Sequence, residues 1–453
     1  MAGLGVSGSA LPGVRDRREN SEIGAQLHEL ISELYPISRS LTGDGVRETL
    51  RRLGELIPLE VHEVPSGTPA FDWTIPKEWN IRDAYIEDPS GRRVVSFADS
   101  NLHVMGYSVP VRRRMPLEEL REHLFTLPEH PEWIPYRTSY YEENWGFCLA
   151  HAQLERLPQG DYEVCIDSTL GDGYLSYGEC VLAGQQPDEI LISTHVCHPS
   201  LCNDNLSGVA IASLLARALS SIEHRYTYRF LFIPGTIGSI TWLSRNEETA
   251  ALIKHGLVLT CAGDEGSSTY KRSRRGDAEI DQAMEYVLAS SGQPFAIEDF
   301  SPWGYDERQY CSPGFNLPVG CLMRTPHGRF PEYHTSADGL ELVTPRALAD
   351  TFGKCLATFE LLERNGVYVT LNPKCEPQLG KRGLYGAIGG EPDKRLAQMA
   401  ILWVLNLSDG GHSLLDIALR SGLPFETIAS AASRLLEHEL LRRLEAPLRT
   451  QSA

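Results

Sequence analysis

The sequence contains no apolar run of the roughly 20 residues that a membrane-spanning helix needs. It also lacks a basic excess, because 42 Lys and Arg stand against 60 Asp and Glu and the formal net charge is −18. Nucleic acids and anionic membranes both attract basic surfaces, so this balance argues against either partner. Residues 1–22 are small and polar, without the charged start and apolar core of a secretory signal. We therefore expect a cytoplasmic protein.

Cysteine is too sparse for a disulfide scaffold, since ten residues are spread over a chain of 453. We expect these cysteines, including Cys197 and Cys202, to be reduced and mostly buried as small apolar side chains. A hydrophobic content of 42% and a charged content of 23% are ordinary for a soluble globular protein. The length predicts two or three domains.

The chain divides into regions of different pattern. Residues 1–20 are expected to form a flexible tail. Helical periodicity over residues 21–63, and alternating strand-like and helical runs over 161–375, predict an α/β domain with helices flanking the sheet. Residues 64–160 hold short β-like runs between turn residues, which predicts an inserted β-rich domain. Residues 378–453 have the pattern of a helix, a tight turn and a helix.

The segment from Thr194 to Gly208 carries the strongest functional signal. The apolar run Glu189–Ser193 predicts a buried strand, and a helical pattern begins at Gly208. His195 therefore stands at the carboxyl end of a strand and Asp204 at the start of a helix, at the sheet edge where α/β proteins bind ligands. An imidazole and a carboxylate placed there suit zinc. The alternative is that Asp204 only caps the helix.

Two further candidate ligands follow predicted strands. Asp264 follows the apolar run Leu257–Cys261, and His334 follows the strand-like run Val319–Met323. Because these strands can end at the same edge, their side chains can meet the first pair. The first pair together with His334 would leave a fourth zinc position open for water, whose pKa zinc lowers to about 7. The sequence therefore predicts a zinc site that can hydrolyse a polarised carbonyl group.

These residues resemble a known family. His195, the run Asp-Asn-Leu-Ser-Gly-Val at 204–209 and the run Tyr-His-Thr-Ser-Ala-Asp at 333–338 are similar to the zinc aminopeptidases typified by bacterial leucyl aminopeptidase. Nearly the whole chain more closely resembles a bacterial subfamily of aminopeptidase-like proteins of unknown function, which has an inserted β-rich lid and a C-terminal winged helix. The segments that carry this closer resemblance are Ser38–Gly43, His195–Ser200, Pro234–Ser239 and Thr269–Ser273.

The resemblance implies a zinc-exopeptidase-like mixed sheet flanked by helices for residues 21–63 and 161–375. It further implies that the insert forms a lid and that residues 378–453 form a winged helix-turn-helix. In the family the first and last histidines, here His195 and His334, each bind one of two zinc ions. The aspartate at the position of Asp204 bridges the two ions.

One departure from the family bears on the mechanism. The family carries an adjacent Glu-Glu pair, a general base and a zinc ligand, before a Gly-x-x-Gly-Ser turn, whereas the equivalent segment Arg229–Ser239 contains no carboxylate. We therefore expect one zinc ion, with two as the alternative, and a catalytic base from another segment. The candidates by position are Asp264 and Glu265, followed by Asp306 and Glu307. Each could instead form salt bridges with neighbouring Lys or Arg side chains.

Other side chains are candidates for substrate binding. Tyr305 and Asp306 belong to a segment that resembles the family's Ser-Asp-His segment, and we assign both to the substrate. Aromatic residues of the insert, among them Tyr140 and Trp145, are assigned to a pocket over the metal, with the insert's own core as the alternative. His198 stands close to His195 in the sequence and is expected to contact the metal ligands from outside.

The sequence thus predicts a zinc-dependent, aminopeptidase-like hydrolase that cleaves an amide or peptide bond of an aminoacyl or small peptide-like substrate. The missing Glu-Glu pair supports an alternative, a catalytically impaired metal-binding module that recognises an amino compound. A third reading is a regulator that uses the winged helix. Residues 391–453 hold seven basic and eight acidic residues, whereas a DNA-binding domain needs a basic face. We expect packing or homo-oligomerisation for this region.

Overall fold

The computed structural model describes residues 17–384 and 392–444 of the protein. The strands are β1 (Glu60–Pro65), β2 (Pro69–Ala70), β3 (Trp73–Thr74), β4 (Glu78–Glu87), β5 (Arg93–Ser96), β6 (Val111–Pro116), β7 (Leu124–Phe125), β8 (Phe147–Cys148), β9 (Asp161–Gly171), β10 (Tyr174–Leu182), β11 (Glu189–His195), β12 (Thr227–Ile233), β13 (Ile253–Leu259), β14 (Ser268–Lys271), β15 (Phe295–Glu298), β16 (Val319–Met323), β17 (Val367–Thr370), β18 (Asp409–Ser413) and β19 (Leu441–Arg443). The helices are α1 (Arg17–Leu34), α2 (Asp44–Gly54), α3 (Leu117–Leu120), α4 (His151–Glu155), α5 (Ser207–Leu219), α6 (Ile237–Arg245), α7 (Glu247–Ala250), α8 (Glu279–Ser290), α9 (Glu307–Tyr310), α10 (Pro345–Arg364), α11 (Pro392–Leu407), α12 (Leu414–Ser421) and α13 (Phe425–Glu437).

The largest sheet has eight strands in the order β1-β10-β12-β11-β13-β16-β14-β15. Its central strands β12, β11, β13 and β16 run parallel, and β10 and β14 join them antiparallel on either side. Every residue of β11 is buried, as expected for a parallel strand that is covered on both faces. The predicted fold class, a mixed sheet flanked by helices, is confirmed.

Helix α5 packs tightly on this sheet, and its sequence explains how. A Cβ added at Gly208 would lie 2.5 Å from the carbonyl oxygen of Leu259, so only glycine lets the start of α5 approach the end of β13 this closely. The apolar pattern from residue 208 predicted this helix, and α5 forms at Ser207–Leu219. Because α5 begins directly after the turn Cys202–Leu206, its position fixes that turn above the end of β11.

The parallel strands end at one edge of the sheet. His195 is the last residue of β11, Pro234 follows β12, Thr260 follows β13, and Arg324 follows β16. Crevices outside the carboxyl ends of parallel strands are where α/β folds bind ligands. A ligand-binding site is therefore expected among the loops that follow these four strands.

A second sheet belongs to the β-rich part of the chain. It has four antiparallel strands in the order β5-β4-β9-β6 and its own buried apolar cluster, which includes Phe147 and Tyr162. The strand that begins at Asp161 pairs here with β4 and β6, whereas the sequence pattern grouped it with the α/β domain. A period-two apolar pattern identifies a strand but not its partner. The domain boundaries remain a proposal, and we place the end of the insert at Gly171.

The described residues from 357 onward form a compact unit by themselves. In its described part, Ser413 caps α12 by accepting a hydrogen bond at 3.1 Å from the backbone N–H of Asp416, and α12 ends at Gly422, whose φ of 69° is left-handed. Helix α13 follows and buries Ile428 and Leu435. Strands β18, β17 and β19 form a three-stranded sheet. The predicted helix, turn and helix are confirmed.

Three further expectations concern the chain as a whole. All ten cysteines are free, and eight are buried, as predicted. None of the helices among the described residues combines the length and the apolar character that crossing a membrane requires. The predicted flexible tail, residues 1–20, lies largely outside the described residues.

Candidate metal centre

Three side chains that the sequence singled out meet at the carboxyl edge of the large sheet. His195 Nε2 lies 2.9 Å from Asp204 Oδ1, and His334 Nε2 lies 3.0 Å from Asp204 Oδ2. His195 comes from the end of β11, Asp204 from the turn before α5, and His334 from the long connection after β16. His334 thus contacts a carboxylate that lies 130 positions before it in the chain.

A third imidazole joins this group. His198 Nδ1 lies 3.2 Å from Asp204 Oδ2 and 3.1 Å from the backbone oxygen of Asp204. Ligand atoms of His195, His198 and Asp204 all lie within 4.8 Å of one another. The sequence analysis had placed His198 only next to the ligands, because the stretch after His195 contains Pro199 and has no regular spacing. The structure makes it an equal member of the cluster by distance.

Burial and charge act strongly on this cluster. Asp204 is fully buried, at 0% exposure. Burial alone would raise the pKa of its carboxyl, but the imidazoles of His198, His195 and His334 outweigh burial and hold that pKa well below its usual range. For His198, burial works against the charged form, and the adjacent Asp204 carboxylate prevails and raises the pKa of the imidazole. The cluster is therefore built around a carboxylate that stays ionised.

Two buried residues hold the loops that carry these side chains. Asp338 accepts hydrogen bonds from the backbone N–H groups of Asn203 at 2.6 Å and Asp204 at 2.9 Å. Burial raises the pKa of Asp338 to about 7, although these N–H donors oppose the shift. Arg39 donates to the carbonyl oxygens of His198 and Pro199, each at 2.8 Å. Burial lowers the pKa of this guanidinium to about 10. Both contacts fix backbone rather than bind a ligand.

Backbone strain marks the same edge. Thr236, Cys261 and His334 have φ values of 64°, 45° and 57°, a left-handed conformation that side-chain-bearing residues seldom adopt. Such residues cost of order 1–3 kcal/mol each and concentrate at functional sites. They lie on the loops after β12, β13 and β16, next to the imidazole cluster. The strain supports a functional reading of the edge.

Two tyrosines pack directly on the outer imidazoles. Tyr305 stacks on His195 with ring centroids 5.1 Å apart, and Tyr333 stacks on His334 at 3.9 Å. The Tyr305 hydroxyl lies 3.1 Å from the sulfur of Cys261. Burial, together with the negative charge of Asp204, raises the pKa of Tyr305 well above its usual value. The structure thus places the predicted Tyr305 at the site and adds Tyr333.

The β-rich part of the chain also reaches the site. The backbone N–H of Tyr136 donates to the carbonyl oxygen of His334 at 2.8 Å, and the N–H of Ser336 donates to Ile134 at the same distance. The ring of Tyr136 meets His334 and His198 edge-on, with centroids 5.0 and 5.3 Å apart. Burial raises the pKa of Tyr140, on which Asp204 also acts. Tyr140, predicted to contact substrate, therefore lies within electrostatic reach of the cluster.

Trp145 has a different environment. It is buried among the apolar residues of the four-stranded sheet, and its ring stacks on His123 with centroids 3.6 Å apart. The alternative considered for the insert's aromatic residues, a role in its own core, describes Trp145. We do not include it in the site.

The two carboxylates after β13 have other partners. Asp264 accepts hydrogen bonds from the backbone N–H of Gly266 at 2.7 Å, the side chain of Asn203 at 3.0 Å and both the N–H and the hydroxyl of Thr325 at 3.1 and 2.6 Å. Glu265 is exposed and pairs with Arg346. These contacts favour structural roles over the catalytic roles predicted for Asp264 and Glu265.

Asp306 and Glu307 are both buried, at 2% and 0% exposure. Asp306 Oδ1 accepts from the backbone N–H of Thr236 at 2.6 Å and from the hydroxyl of Ser239 at 2.9 Å. Burial raises the pKa of Asp306, and the neighbouring His195 opposes that shift. Glu307 Oε1 accepts from Lys271 at 2.7 Å, while its second oxygen, Oε2, has no hydrogen-bond partner among the described residues. Glu307 is thus the predicted catalytic carboxylate that keeps a free acceptor atom.

The residues that sequence reasoning missed share a cause. Arg39 and Asp338 reach the site through contacts between distant segments, and neither stands at a recognisable ligand spacing. His198 was expected only outside the ligands, and Tyr136 only as one of the insert's aromatic residues over the metal. Some indication of Asp338 and Arg39 was present in the sequence, because both belong to segments on which the family resemblance rests. Tyr136 carried no signal beyond its aromatic character.

The side chains present fit a zinc ion. Zinc in proteins binds imidazole nitrogen and carboxylate oxygen at about 2.0–2.2 Å, which sets tetrahedral ligand atoms roughly 3.4 Å apart. The nitrogen-to-oxygen distances here are 2.9, 3.0 and 3.2 Å, so a slight widening accommodates a cation. Several imidazole nitrogens point at one buried carboxylate, and each such contact needs a proton that a metal ion can replace. His195 and His334 face different oxygens of Asp204, so the geometry accommodates one ion or two.

Comparison with known proteins places the chain in a family. Residues 28–365 match the family described as domain of unknown function DUF4910, and residues 366–443 match a winged helix-turn-helix family. A protein of Clostridium acetobutylicum is 54% identical over 425 residues, which cover 94% of this chain and 98% of that protein. It is provisionally named a polysaccharide biosynthesis protein with an aminopeptidase-like domain.

Solved structures agree with this assignment. A crystal structure of a Clostridium acetobutylicum protein, provisionally described as a peptidase, superposes with a TM-score of 0.89 at 52% identity, covering 94% of this chain and 98% of that one. The zinc aminopeptidase of Bacillus subtilis superposes with a TM-score of 0.54 at 12% identity over 74% of this chain and 94% of that one, which shows the fold alone. The chain therefore belongs to the family of domain of unknown function DUF4910, an aminopeptidase-like family with a zinc-exopeptidase fold and, here, a C-terminal winged helix.

Proposed function

We propose that the protein is a zinc-dependent hydrolase that cleaves an amide or peptide bond of an aminoacyl or small peptide-like compound. The observation that carries the proposal is the convergence of His195, His198 and His334 on the buried carboxylate of Asp204. It occurs at the carboxyl edge of an aminopeptidase-like fold, where such folds bind ligands. A structural role alone does not require three imidazoles around one ionised carboxylate.

In the proposed reaction, water adds across the carbon–nitrogen bond of the amide. The carbonyl carbon gains the oxygen of water and leaves as a carboxylic acid, and the nitrogen gains a proton and leaves as an amine. When bound, zinc polarises the carbonyl oxygen and makes water a stronger nucleophile at neutral pH. We propose that His195, Asp204 and His334 hold the ion, and that His198 adds a third imidazole to this set.

The chain must also accept the proton that water gives up. Among the carboxylates named from the sequence, Asp264 and Glu265 are engaged by Thr325 and Arg346. We propose Glu307 for this role, because Oε2 is buried and no hydrogen-bond partner for it occurs in the part of the chain that the structure describes, while Lys271 holds Oε1. Tyr305, two residues before Glu307, stacks on His195 with ring centroids 5.1 Å apart, so the segment that carries Glu307 lies beside the metal site.

Metal content and hydrolysis of a panel of amides test the proposal. Wild-type protein should bind zinc and hydrolyse at least one aminoacyl or acylamino amide, and His195→Ala should lose both properties. His255→Ala is the matched control, because His255 is a buried imidazole that contacts the Tyr226 hydroxyl at 3.2 Å and belongs to no metal cluster found among the described residues. Wild-type protein that binds zinc yet hydrolyses none of the panel would instead support the metal-binding module without catalysis.

A further inference from the structure

The charges at the sheet edge restrict what the site can bind. Asp204 is one of the proposed metal ligands. Asp338 is committed to two backbone N–H groups, and Asp264 to four donors. Asp306 accepts from a backbone N–H and a serine hydroxyl at the start of α6. These aspartates hold the loops in place, and an incoming positive charge would compete with those bonds.

The two glutamates of the region carry their own positive partners. Glu307 pairs with Lys271 Nζ at 2.7 Å, with both side chains buried. Glu265 pairs with Arg346 at the surface. A second ammonium group near Glu307 would meet the charge of Lys271 as well as that of the carboxylate, so the pair as a whole offers little attraction to a cation.

The loop after β12, residues 234–236, carries no charged side chain of its own, and the carboxylate that packs against it, Asp306, is bonded to Thr236 and Ser239. A Cβ built at Gly235 would lie 3.6 Å from His195 Cβ and 3.5 Å from the sulfur of Cys197. These are ordinary van der Waals distances, so the backbone there has room for the start of a side chain that faces the imidazole. The chain places no side chain at that point, and Pro234 and Thr236 on either side are uncharged.

What faces the cluster is aromatic and neutral. Tyr305 and Tyr333 stack on two of its imidazoles, and Tyr136 contacts a third. Phenol hydroxyls donate and accept hydrogen bonds, and ring faces pack on apolar or weakly polar groups.

We propose that the substrate presents an N-acylated, uncharged nitrogen at this site, so that the protein acts as a deacylase of acylamino compounds and does not recognise a free α-ammonium group. The inference rests on the proposed metal-dependent hydrolase. A divalent ion held by neutral imidazoles and the single charge of Asp204 leaves a net positive centre. A protonated amine next to it would be repelled unless further carboxylates faced it. The three other aspartates hold backbone and side-chain donors, and the second oxygen of Glu307 belongs to a carboxylate whose charge is already paired with Lys271.

A pair of ligands that differ only at the nitrogen tests this inference by binding. Zinc-loaded full-length protein is titrated calorimetrically at pH 6.5 with leucinamide and with N-acetyl-leucinamide. Free α-amino groups titrate near about 7.7–8.0, so leucinamide is then a cation. We expect the acetylated compound to bind at least about tenfold more tightly. Equal or tighter binding of leucinamide would overturn the inference, and so would the absence of measurable binding by both.

Two substitutions at Gly235 separate the effect of a negative charge from the effect of side-chain size. Gly235→Glu places a carboxylate beside His195 and should raise the affinity for leucinamide at least about tenfold while leaving N-acetyl-leucinamide nearly unchanged. Gly235→Gln, of the same size but neutral, should keep the wild-type order. Thermal melts establish that both variants fold. If Gly235→Gln raises leucinamide affinity as much as Gly235→Glu does, charge is not the discriminating feature and the inference is wrong.

The outcome is distinguishable from a failure of the proposed function. Hydrolysis of leucinamide in preference to the acetylated amide would support a metal-dependent hydrolase and overturn the deacylase inference. A wild-type protein that does not bind zinc would overturn the proposed function itself.

Discussion

Asp204 and Asp306 lie near the ends of neighbouring parallel strands and are equally buried, at 0% and 2% exposure, yet burial has opposite outcomes for them. Asp204, beyond β11, is surrounded by three imidazoles, and its pKa falls well below the usual range. Asp306 reaches the loop after β12 and is bonded there by a backbone N–H and a hydroxyl. These neutral donors do not offset burial, and its pKa rises.

The difference shows that two buried carboxylates at neighbouring strand ends differ in chemistry because different side chains surround them. The loop after β11 carries two histidines, so its carboxylate is held ionised and can join a cation. The loop after β12 carries Pro234, Gly235 and Thr236, which offer no charged partner. The one loop is therefore suited to metal binding and the other to holding the start of α6.

The largest effect is expected from Asp204→Asn. This change keeps the shape of the side chain but removes the charge that three imidazoles face, so zinc affinity should fall by more than the roughly 10- to 100-fold that loss of a supporting contact costs. The measurement is zinc affinity by competition with a chelator. Asp306→Asn is the matched control and should bind zinc within about threefold of wild type. Comparable losses of zinc affinity in both variants would contradict the assignment of metal binding to Asp204 and not to Asp306.

Much of this arrangement follows from the sequence. An apolar run that ends in His195, and a helix that starts after Asp204, are local patterns, and the rule that parallel strands end at a common edge adds His334. The α/β sheet with flanking helices and the helix-turn-helix were predicted from apolar periodicity, whereas the mixed strand order was implied by the family resemblance. The number of ions stays a prediction.

The remainder depends on contacts that no local pattern encodes. Asp264 and Glu265 stand after a strand, as a metal ligand would, but Thr325 and Arg346 from distant segments engage them. Strand β9 reads like a member of the α/β alternation, and only its partners β4 and β6 place it elsewhere. A sequence pattern indicates which residues are available, whereas tertiary contacts decide which of them remain free.

A smaller effect is expected from Asp338→Asn, which tests how far the difference between the loops depends on support. Asp338 binds the N–H groups of Asn203 and Asp204 through its two oxygens, and an amide can accept only one of these bonds. Zinc affinity should fall about 10- to 100-fold, as for other supporting contacts. Asp281→Asn is the control, because Asp281 is a buried aspartate with similar bonds to Tyr270 and Ser273. If zinc affinity is unchanged in Asp338→Asn, contacts other than those of Asp338 must hold the turn that carries Asp204.

The pH dependence of stability separates Asp306 from Asp204 without any metal. The folded pKa of Asp306 is raised, so the native state binds its proton more tightly than the unfolded chain, whose aspartates titrate near about 3.9. The stability that Asp306 contributes by binding a proton is fully present below about pH 3.9 and is lost as pH rises through the folded pKa. Asp306→Asn should therefore gain stability relative to wild type as pH rises above about 4.

Urea unfolding at several pH values measures this difference, and Asp204 provides the opposite sign. Its folded pKa is lowered, so its contribution is present above about pH 3.9 and is lost as pH falls through the folded pKa. Asp204→Asn should lose stability relative to wild type as pH rises toward 4. Parallel pH profiles for the two variants would contradict opposite pKa shifts at the two strand ends.

The smallest effect is expected from Glu265→Gln, which extends the comparison to an exposed carboxylate after β13. Glu265 pairs with Arg346 and the hydroxyl of Thr344 at the surface, and exposed ion pairs contribute only about 0–1 kcal/mol to stability. Zinc affinity and any amide hydrolysis should stay within about twofold of wild type. Because Glu265 was a catalytic candidate by its position after a strand, a loss of hydrolysis with zinc affinity intact would restore that role and show that exposure in the free protein does not exclude a carboxylate from the reaction.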